Sequence, residues 1–314
     1  MNSLILQKQE EVIALAQFDI KDAVLKKCLL KEDETVITVP DGVTTIGKDA
    51  LCGLQSVIAV TLPESLKVIN DGAFYGCSSL TSVTLPGSVE RLGSCAFAQC
   101  SALNTIYLDN KLTEIGNSAF WGCTSLESID IPAGVTKIGY NLFGSCLSLI
   151  SVSLPDTVTE LDERAFKECT SLACITLPDS LIKIGNMAFL NCHNLKSVNI
   201  PDRLESIGEK AFFMCESLHE LEIPDGIASV GGDAFSDCVS VTVRSTISGK
   251  PLYKAVTATD GSSAYNFILR NIWDKGGFDF TAQDNYFPAL QDENLQYAIA
   301  FSRLMYRVNL SASA

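Results

Sequence analysis

Apolar and polar residues recur along most of this chain with a fixed period of 23 residues. The segment 80–102 reads LTSVTLPGSVERLGSCAFAQCSA, and a shift of 23 residues places Leu62 on Leu85 and Phe74 on Phe97. A constant period in this range is typical of a solenoid, in which each repeat buries its apolar face only against its neighbours. The pattern therefore predicts a stack of coils with one continuous core.

Each coil is also expected to contain a strand. The pattern Leu80-x-x-Val83-x-Leu85 recurs in later repeats. Alternation along a strand sends Val83 and Leu85 to one face and the polar residues Ser82 and Thr84 to the other. Stacked coils make these strands parallel neighbours about 4.8 Å apart. We therefore expect a parallel sheet that is apolar on its inner face and polar on its outer face.

Equivalent positions in successive repeats form columns, and two of them constrain the turns. The proline column, which runs from Pro40 to Pro224, departs from proline once, at Asp109. A second column contains only Gly, Asn and Asp, the residues that best tolerate positive φ. We therefore predict a left-handed turn in this column, including at Gly116 and Gly139. Its members are Gly47, Asn70, Gly93, Gly116, Gly139, Asp162, Gly185, Gly208 and Gly231.

Eight of the twelve cysteines share one further column. Their Cα atoms would lie about 4.8 Å apart in adjacent coils, but parallel side chains keep the Cβ atoms beyond the roughly 3.5–4.5 Å that a disulfide requires. A line of thiols also cannot supply four tetrahedral ligands to zinc. We therefore expect reduced, buried thiols, since free cysteine is among the most buried residue types. The column consists of Cys77, Cys100, Cys123, Cys146, Cys169, Cys192, Cys215 and Cys238.

The consensus LxxVxLPxxVxxIGxxAFxxCxxL resembles the leucine-rich repeats of the bacterial BspA-like type, and it covers Val36 to about Thr246 without a gap. The resemblance implies an α/β repeat solenoid, a right-handed leucine-rich-repeat coil whose parallel strands line a concave face. It also implies a bacterial protein of a kind often found on cell surfaces and implicated in adhesion or host contact. That family fixes no catalytic residues, so we expect no enzyme activity.

The start and end of the repeats divide the chain into three segments. Residues 1–35 are predicted to form an N-terminal cap, with an early helix followed by two short strands, Phe18–Ile20 and Ala23–Leu25. Residues 36–246 form the solenoid, with about nine repeats of 23 residues. Residues 247–314 change in composition and predict a small helical C-terminal region, which is either a cap or a separate module.

Composition excludes several classes of partner. The chain of 314 residues is 47% hydrophobic and has a net charge of −14, from 37 acidic and 23 basic residues. Nucleic-acid grooves and anionic membrane surfaces need clustered Lys and Arg, so we expect neither. No apolar run approaches about 18 residues, so no membrane insertion is expected. No export signal is visible at the N-terminus, which predicts a cytoplasmic protein, or a cell-surface or secreted one if a leader is missing from this chain.

The sequence predicts no catalytic residue, no cofactor and no metal site. His193 and His219 are the only histidines, and neither belongs to a metal or triad motif. Cys174 is the most accessible candidate nucleophile, but no histidine is expected close enough to lower its pKa. An acidic residue often follows the proline, as at Asp156 and Asp179. We interpret these as ordinary turn residues, with calcium binding as the alternative.

The outer face of the strands is the candidate binding surface. Its positions are mostly Ser or Thr, which supply hydrogen bonds but little apolar area. Tyr107 is the exception, and tyrosine is enriched among interface hot spots. Asp130 follows one repeat later in the same column. The residues predicted to bind a ligand on the concave face are Thr105, Tyr107, Ser128, Asp130, Ser151 and Ser153.

These observations predict a non-enzymatic scaffold that binds a protein or a glycan, with adhesion as one such role. The alternative is a structural or assembly protein that docks through its C-terminal helical region. The two differ in the surface that carries the partner, which is either the strands or the segment after Thr246.

Overall fold

A computed structural model of the chain describes residues 17–30, 34–218, 220–224, 227–235, 237–238 and 242–245. These residues form a stack of about nine coils built from short strands and turns, and no helix occurs among them. The α part of the α/β expectation is therefore not confirmed, because turns close each described coil. The predicted helices before residue 17 and after residue 246 lie outside the described residues, and the division into three segments stays a prediction.

The described chain begins with an antiparallel hairpin. Strand β1 (Gln17–Lys21) pairs with β2 (Val24–Leu29), and Asp22 and Ala23 between them both have positive φ. The two short strands expected in this segment are therefore present. Strand β2 then pairs in parallel with β4 (Thr45–Ile46) of the first coil, so the hairpin extends the sheet of the solenoid.

Each coil contains two strands, separated by the turn that carries the proline column. The first strands are β3 (Val36–Thr38), β5 (Ala59–Thr61), β7 (Ser82–Thr84), β9 (Thr105–Tyr107), β11 (Ser128–Asp130), β13 (Ser151–Ser153), β15 (Cys174–Ile175), β17 (Ser197–Val198), β19 (Glu220–Ile223) and β21 (Thr242–Ser245). The second strands, which the periodicity did not predict, are β4, β6 (Val68–Ile69), β8 (Arg91–Leu92), β10 (Glu114–Ile115), β12 (Lys137–Ile138), β14 (Glu160–Leu161), β16 (Lys183–Ile184), β18 (Ser206–Ile207) and β20 (Ser229–Val230).

The strands of successive coils are parallel and in register, as the period predicted. Val83 pairs with Ile106 and Ile129 pairs with Val152, which are 23 residues apart. The first strands form the ladders β3-β5-β7-β9, β11-β13 and β15-β17-β19-β21, and the second strands form β1-β2-β4-β6-β8-β10 and β12-β14-β16-β18-β20. The alternation is also confirmed, because Ser82 and Thr84 are exposed and Val83 is buried. The hand of the coil and its concave face stay predictions.

A continuous stack of phenylalanine rings runs through the core. Neighbouring ring centroids lie 4.8–6.0 Å apart, and the ring planes differ by only 4–15°. Alanine precedes most of these rings and is completely buried, as at Ala96 and Ala119, which leaves room for the ring beside it. Burial of one such ring contributes on the order of 1.5–3 kcal/mol. The stack consists of Phe74, Phe97, Phe120, Phe143, Phe166, Phe189, Phe212 and Phe235.

The cysteine column is buried and reduced, as predicted, and it also connects the coils. Seven of its thiols are buried and Cys238 is half-buried, and all are free. Each Sγ donates a hydrogen bond to a backbone carbonyl of the preceding coil, 3.0–3.2 Å away. For Cys123 the acceptor is Phe97, so the cysteine column donates to the backbone of the phenylalanine column. Burial raises the pKa of Cys123 to about 12.

The glycine column has a different cause from the one predicted. Neither Gly116 nor Gly139 has a positive φ, so the left-handed turn expected there is wrong. The column lies instead where the backbones of adjacent coils meet. A Cβ on Gly116 would overlap the backbone nitrogen of Ser94, and a Cβ on Gly185 would lie 2.6 Å from the carbonyl carbon of Asp162. Glycine is favoured in this column because the neighbouring coil occupies the space of a side chain.

Two other columns carry the left-handed turns, which close the coil opposite the strands without a helix. One has φ of 52–61° and consists of Asp49, Gly72, Cys95, Ser118, Asn141, Arg164, Met187, Lys210 and Asp233. The other has φ of 57–73° and consists of Gly53, Gly76, Gln99, Gly122, Ser145, Glu168, Asn191, Met214 and Asp237. Arg, Met and Lys are uncommon at positive φ. Because these residue types occur in both columns, residue type alone did not predict the left-handed turns.

The glycine column can be tested with two alanine variants. At Gly139 the atom nearest to a new Cβ is the side-chain oxygen of Asn117, 2.8 Å away, which can rotate aside, whereas at Gly185 it is backbone. We expect Gly185→Ala to lower the free energy of unfolding by about 1–3 kcal/mol, and Gly139→Ala to lower it less. Urea denaturation measures both. Equal losses, or a larger loss at Gly139, would contradict the close-approach explanation.

The thiols can be tested by titration with a thiol reagent. The reactive species is the thiolate, so burial protects the column, and a raised pKa adds to this at Cys123 and Cys192. We expect the exposed Cys52 and Cys174 to react in the native protein. The eight column thiols should react only after denaturation. Disulfides along the column in the native protein would contradict the register of the coils.

Candidate binding face

The six residues predicted to bind a ligand all lie on the outer side of β9, β11 and β13. The middle residue of each strand is buried, namely Ile106, Ile129 and Val152, so the two flanking residues point outward. We call this surface the strand face. It consists of Thr105, Tyr107, Ser128, Asp130, Ser151 and Ser153.

The strand face spans two separate ladders. In β11 and β13, Ser128 pairs with Ser151 and Asp130 pairs with Ser153. Strand β9 pairs with β7 on its other side, where Tyr107 is opposite Thr84. Four of the six residues therefore share one ladder, while Thr105 and Tyr107 end another in the neighbouring coil.

Tyr107 is the dominant feature of the strand face. Its side chain is 69% exposed, more than any other large hydrophobic residue in the described part of the chain. A tyrosine ring offers apolar area and a hydroxyl group that can donate or accept a hydrogen bond. Asp130 is exposed and adds a carboxylate, whereas Thr105 is half-buried. The face therefore presents one aromatic anchor among hydroxyl groups and one charge.

A second polar surface follows the second strands, and the sequence reasoning missed it. The first residues of five consecutive second strands alternate in charge: Arg91, Glu114, Lys137, Glu160 and Lys183. Writing the chain in rows of 23 residues would have revealed the alternation. Because in-register stacking places each residue beside its equivalent, alternation prevents like charges from becoming neighbours.

Most of these charges form ion pairs between coils. The Arg91 guanidinium lies 3.6 Å from the Glu114 carboxylate. The Glu160 carboxylate lies 3.1 Å from Lys137 Nζ and 2.7 Å from Lys183 Nζ. The hydrogen bond that Lys183 donates to Glu160 lowers the pKa of Glu160. The hydrogen bonds that Lys137 donates to Asp162 and Glu160 raise the pKa of Lys137. Exposed pairs contribute only about 0–1 kcal/mol each, so this surface serves the alignment of the coils.

The remaining candidates do not assemble into a reactive site. His193 Nδ1 lies 3.6 Å from the Glu216 carboxylate at the surface, and His219 lies outside the described residues. Cys174 is exposed in β15, opposite Ser197. Within the described ranges no group of three or more His, Cys, Asp or Glu could hold a metal ion, so the calcium alternative gains no support there. Nor does this part of the chain contain a helix long and apolar enough to cross a bilayer.

Comparison with protein families identifies the repeat. A family model described as "BspA type Leucine rich repeat region (6 copies)" matches residues 19–150 and 136–250, which together are more than half of the chain. The chain belongs to the BspA-type leucine-rich repeat family. The resemblance inferred from the repeat consensus is thereby confirmed, and the matched region includes all the described BspA-type coils.

Several solved structures are similar to this BspA-type protein. The leucine-rich repeat protein of T. pallidum is 30% identical with a TM-score of 0.50, over 65% of this chain and 88% of that one. A leucine-rich cell surface protein from Faecalibacterium prausnitzii is 24% identical with a TM-score of 0.46, over 79% and 97% of the two chains. The first of these supports the leucine-rich repeat fold. No curated protein matches the chain.

Proposed function

We propose that this protein is a non-enzymatic scaffold that binds a protein partner through the strand face, with Tyr107 and Asp130 at the centre of the contact. The 69% exposure of Tyr107 on a regular polar sheet carries the proposal. Burial of a large aromatic side chain by a partner removes apolar area from water, and tyrosine is enriched among the residues that dominate interface energies. Membership of a leucine-rich repeat family supports a protein-binding role.

Each half of the strand face, on β9 and on β11 with β13, is preorganised for such a contact. Its backbone is held by the strand ladders, and buried residues such as Ile106 and Ile129 anchor it from behind. A surface that is already ordered loses little conformational entropy on binding. The exposed Glu127 directly precedes β11 and adds negative charge. Complementarity therefore favours a partner that presents Lys or Arg beside an apolar group.

Other roles predicted from the sequence remain proposals of lower rank. A glycan could also use hydroxyl groups around an exposed aromatic ring, and it is one outcome of the test below. Adhesion would be a consequence of either kind of binding. Docking through residues 247–314 stays a prediction because that region lies outside the described residues. The location of the protein, in the cytoplasm or at the cell surface, also stays a prediction.

Substitution of Tyr107 tests the proposed contact. Tyr107→Ala should weaken partner binding by roughly 1–4 kcal/mol, which is about fivefold to a thousandfold in Kd. The folded state should lose little stability, because the side chain is mostly in solvent. Proteins cross-linked to the parent chain in its own cells are identified, purified and titrated against the parent and the variant by calorimetry. Arrays of glycans are screened with the same two proteins.

Tyr75→Ala is the matched control. Tyr75 is also an exposed tyrosine, at 38%, but it follows the phenylalanine column and lies outside the strand face. The Tyr75→Ala variant should bind the partner as tightly as the parent does, whereas Asp130→Ala should weaken partner binding. If Tyr107→Ala and Asp130→Ala both bind as tightly as the parent, the strand face is not the site. Tyr107-dependent binding of glycans alone would replace the protein partner with a carbohydrate.

A further inference from the structure

Both strand ladders end between the same two coils. The first strands are continuous as far as β9 and resume at β11, and the second strands are continuous as far as β10 and resume at β12. We call this boundary the central junction. Elsewhere in the described coils only one ladder is interrupted at a time, between β13 and β15, where the pairing of β14 with β16 continues. The central junction is therefore different from every other described boundary.

A column of three threonines, all within the described coils, shows that the backbone hydrogen bond present at neighbouring boundaries is absent at the central junction. Thr113, Thr136 and Thr159 are equivalent residues of three successive coils, and all are exposed. The Thr113 amide donates to the Glu90 carbonyl at 3.0 Å, and the Thr159 amide donates to the Thr136 carbonyl at 3.0 Å. Among the described backbone bonds none joins Thr136 to Thr113 across the central junction. The interruption therefore does not come from the residue type at this position.

A side-chain bond that joins other coils beside the proline turn is also missing here. Ser88 Oγ donates to the Leu66 carbonyl at 2.6 Å, and Thr157 Oγ1 donates to the Val135 carbonyl at 2.8 Å. The equivalent residue at the central junction is Gly134, which has no hydroxyl group. Glu114 and Lys137 are equivalent residues of opposite charge on the two sides of the junction. Among the described ion pairs, Glu114 pairs with Arg91 of the preceding coil and Lys137 pairs with Glu160 of the following coil.

The opposite side of the same junction is fully connected. The amides of Ser118, Phe120 and Gly122 donate to carbonyls of the next coil at 2.8, 3.1 and 2.9 Å. The Phe120 ring stacks on Phe143 at 5.7 Å, and Cys146 Sγ donates to the Phe120 carbonyl at 3.2 Å. The Tyr140 amide also donates to Asn117 Oδ1 at 3.1 Å on this side. Hydrogen bonds and ring stacking therefore hold the two coils together along the turn side, from Asn117 to Gly122.

We propose that the central junction is a hinge, about which the coils up to β10 and the coils from β11 rotate relative to each other. The turn side is the axis, and the strand side changes its spacing. A hinge requires one connected edge and one weakly connected edge, and only this boundary of the described solenoid has both. Tyr107 and Asp130 lie on opposite sides of the junction, so rotation would change their separation. The hinge is a property of the free protein and stands whether or not the proposed binding is correct.

Nitroxide labels on the threonine column test the hinge. One double variant, Thr113→Cys with Thr136→Cys, places labels across the central junction. The matched control, Thr136→Cys with Thr159→Cys, uses the same column one coil later, and Glu90→Cys with Thr113→Cys provides a second control one coil earlier. All labelled positions are exposed. The accessible native thiols are removed as Cys52→Ser, Cys95→Ser and Cys174→Ser. Dipolar broadening of the continuous-wave spectrum gives the distance distribution of each pair in the full-length protein.

The two controls should give narrow distributions, since hydrogen-bonded backbones are held about 4.8 Å apart. The pair across the junction should give a broader distribution that extends to longer distances and broadens further on warming. A distribution as narrow as the controls would overturn the hinge. So would a longer mean distance with unchanged width, because it would show a fixed gap. Circular dichroism of the three labelled proteins establishes that each is folded.

Discussion

Every feature of this solenoid depends on the stacking of one coil on the next at a single strand spacing. Where the strands of successive coils pair, they pair with no shift, so each residue lies beside its equivalent 23 positions away. The spacing brings backbones so close at Gly185 that a Cβ would not fit. It also brings phenylalanine rings within 4.8–6.0 Å and nearly parallel. A column must therefore be filled by residues that tolerate their own kind as neighbours.

Each column meets that requirement by different chemistry. Aromatic rings stack on one another, and thiols donate to the carbonyls of the coil below rather than bonding to each other. Hydroxyl groups do the same, as Ser88 and Thr157 do with the carbonyls of Leu66 and Val135. Charged side chains cannot repeat without repulsion, so their column alternates in sign. The residue type of a column thus indicates which interaction joins neighbouring coils at that position.

This logic explains how far the sequence could be interpreted. The strand, its outward residues and the buried thiols were predictable, because hydrophobicity and period report burial directly. The glycine column was misinterpreted because Gly fits both a positive φ and a close backbone approach. The true left-handed positions include Arg164 and Met187, which no propensity would suggest. The second strands, as short as Arg91–Leu92, are too short to show alternation. On the strand face, the direction of the side chains was predictable. The interruption of the ladder was not, since the equivalent positions Thr113, Thr136 and Thr159 all carry threonine.

A perfectly repetitive stack would offer every ligand the same surface at each coil, so specificity must come from departures from the repeat. In this chain three departures lie close together. Asp109 replaces the proline and its carboxylate accepts a hydrogen bond from the Lys111 amide, Gly134 stands where the next coil has the hydroxyl group of Thr157, and Tyr107 stands among polar residues. All lie within the two coils whose strand ladders are interrupted. The residues that distinguish this stretch of the strand face therefore lie beside the interrupted ladders, which is why the proposed binding and the proposed hinge are both assigned to the middle of the solenoid.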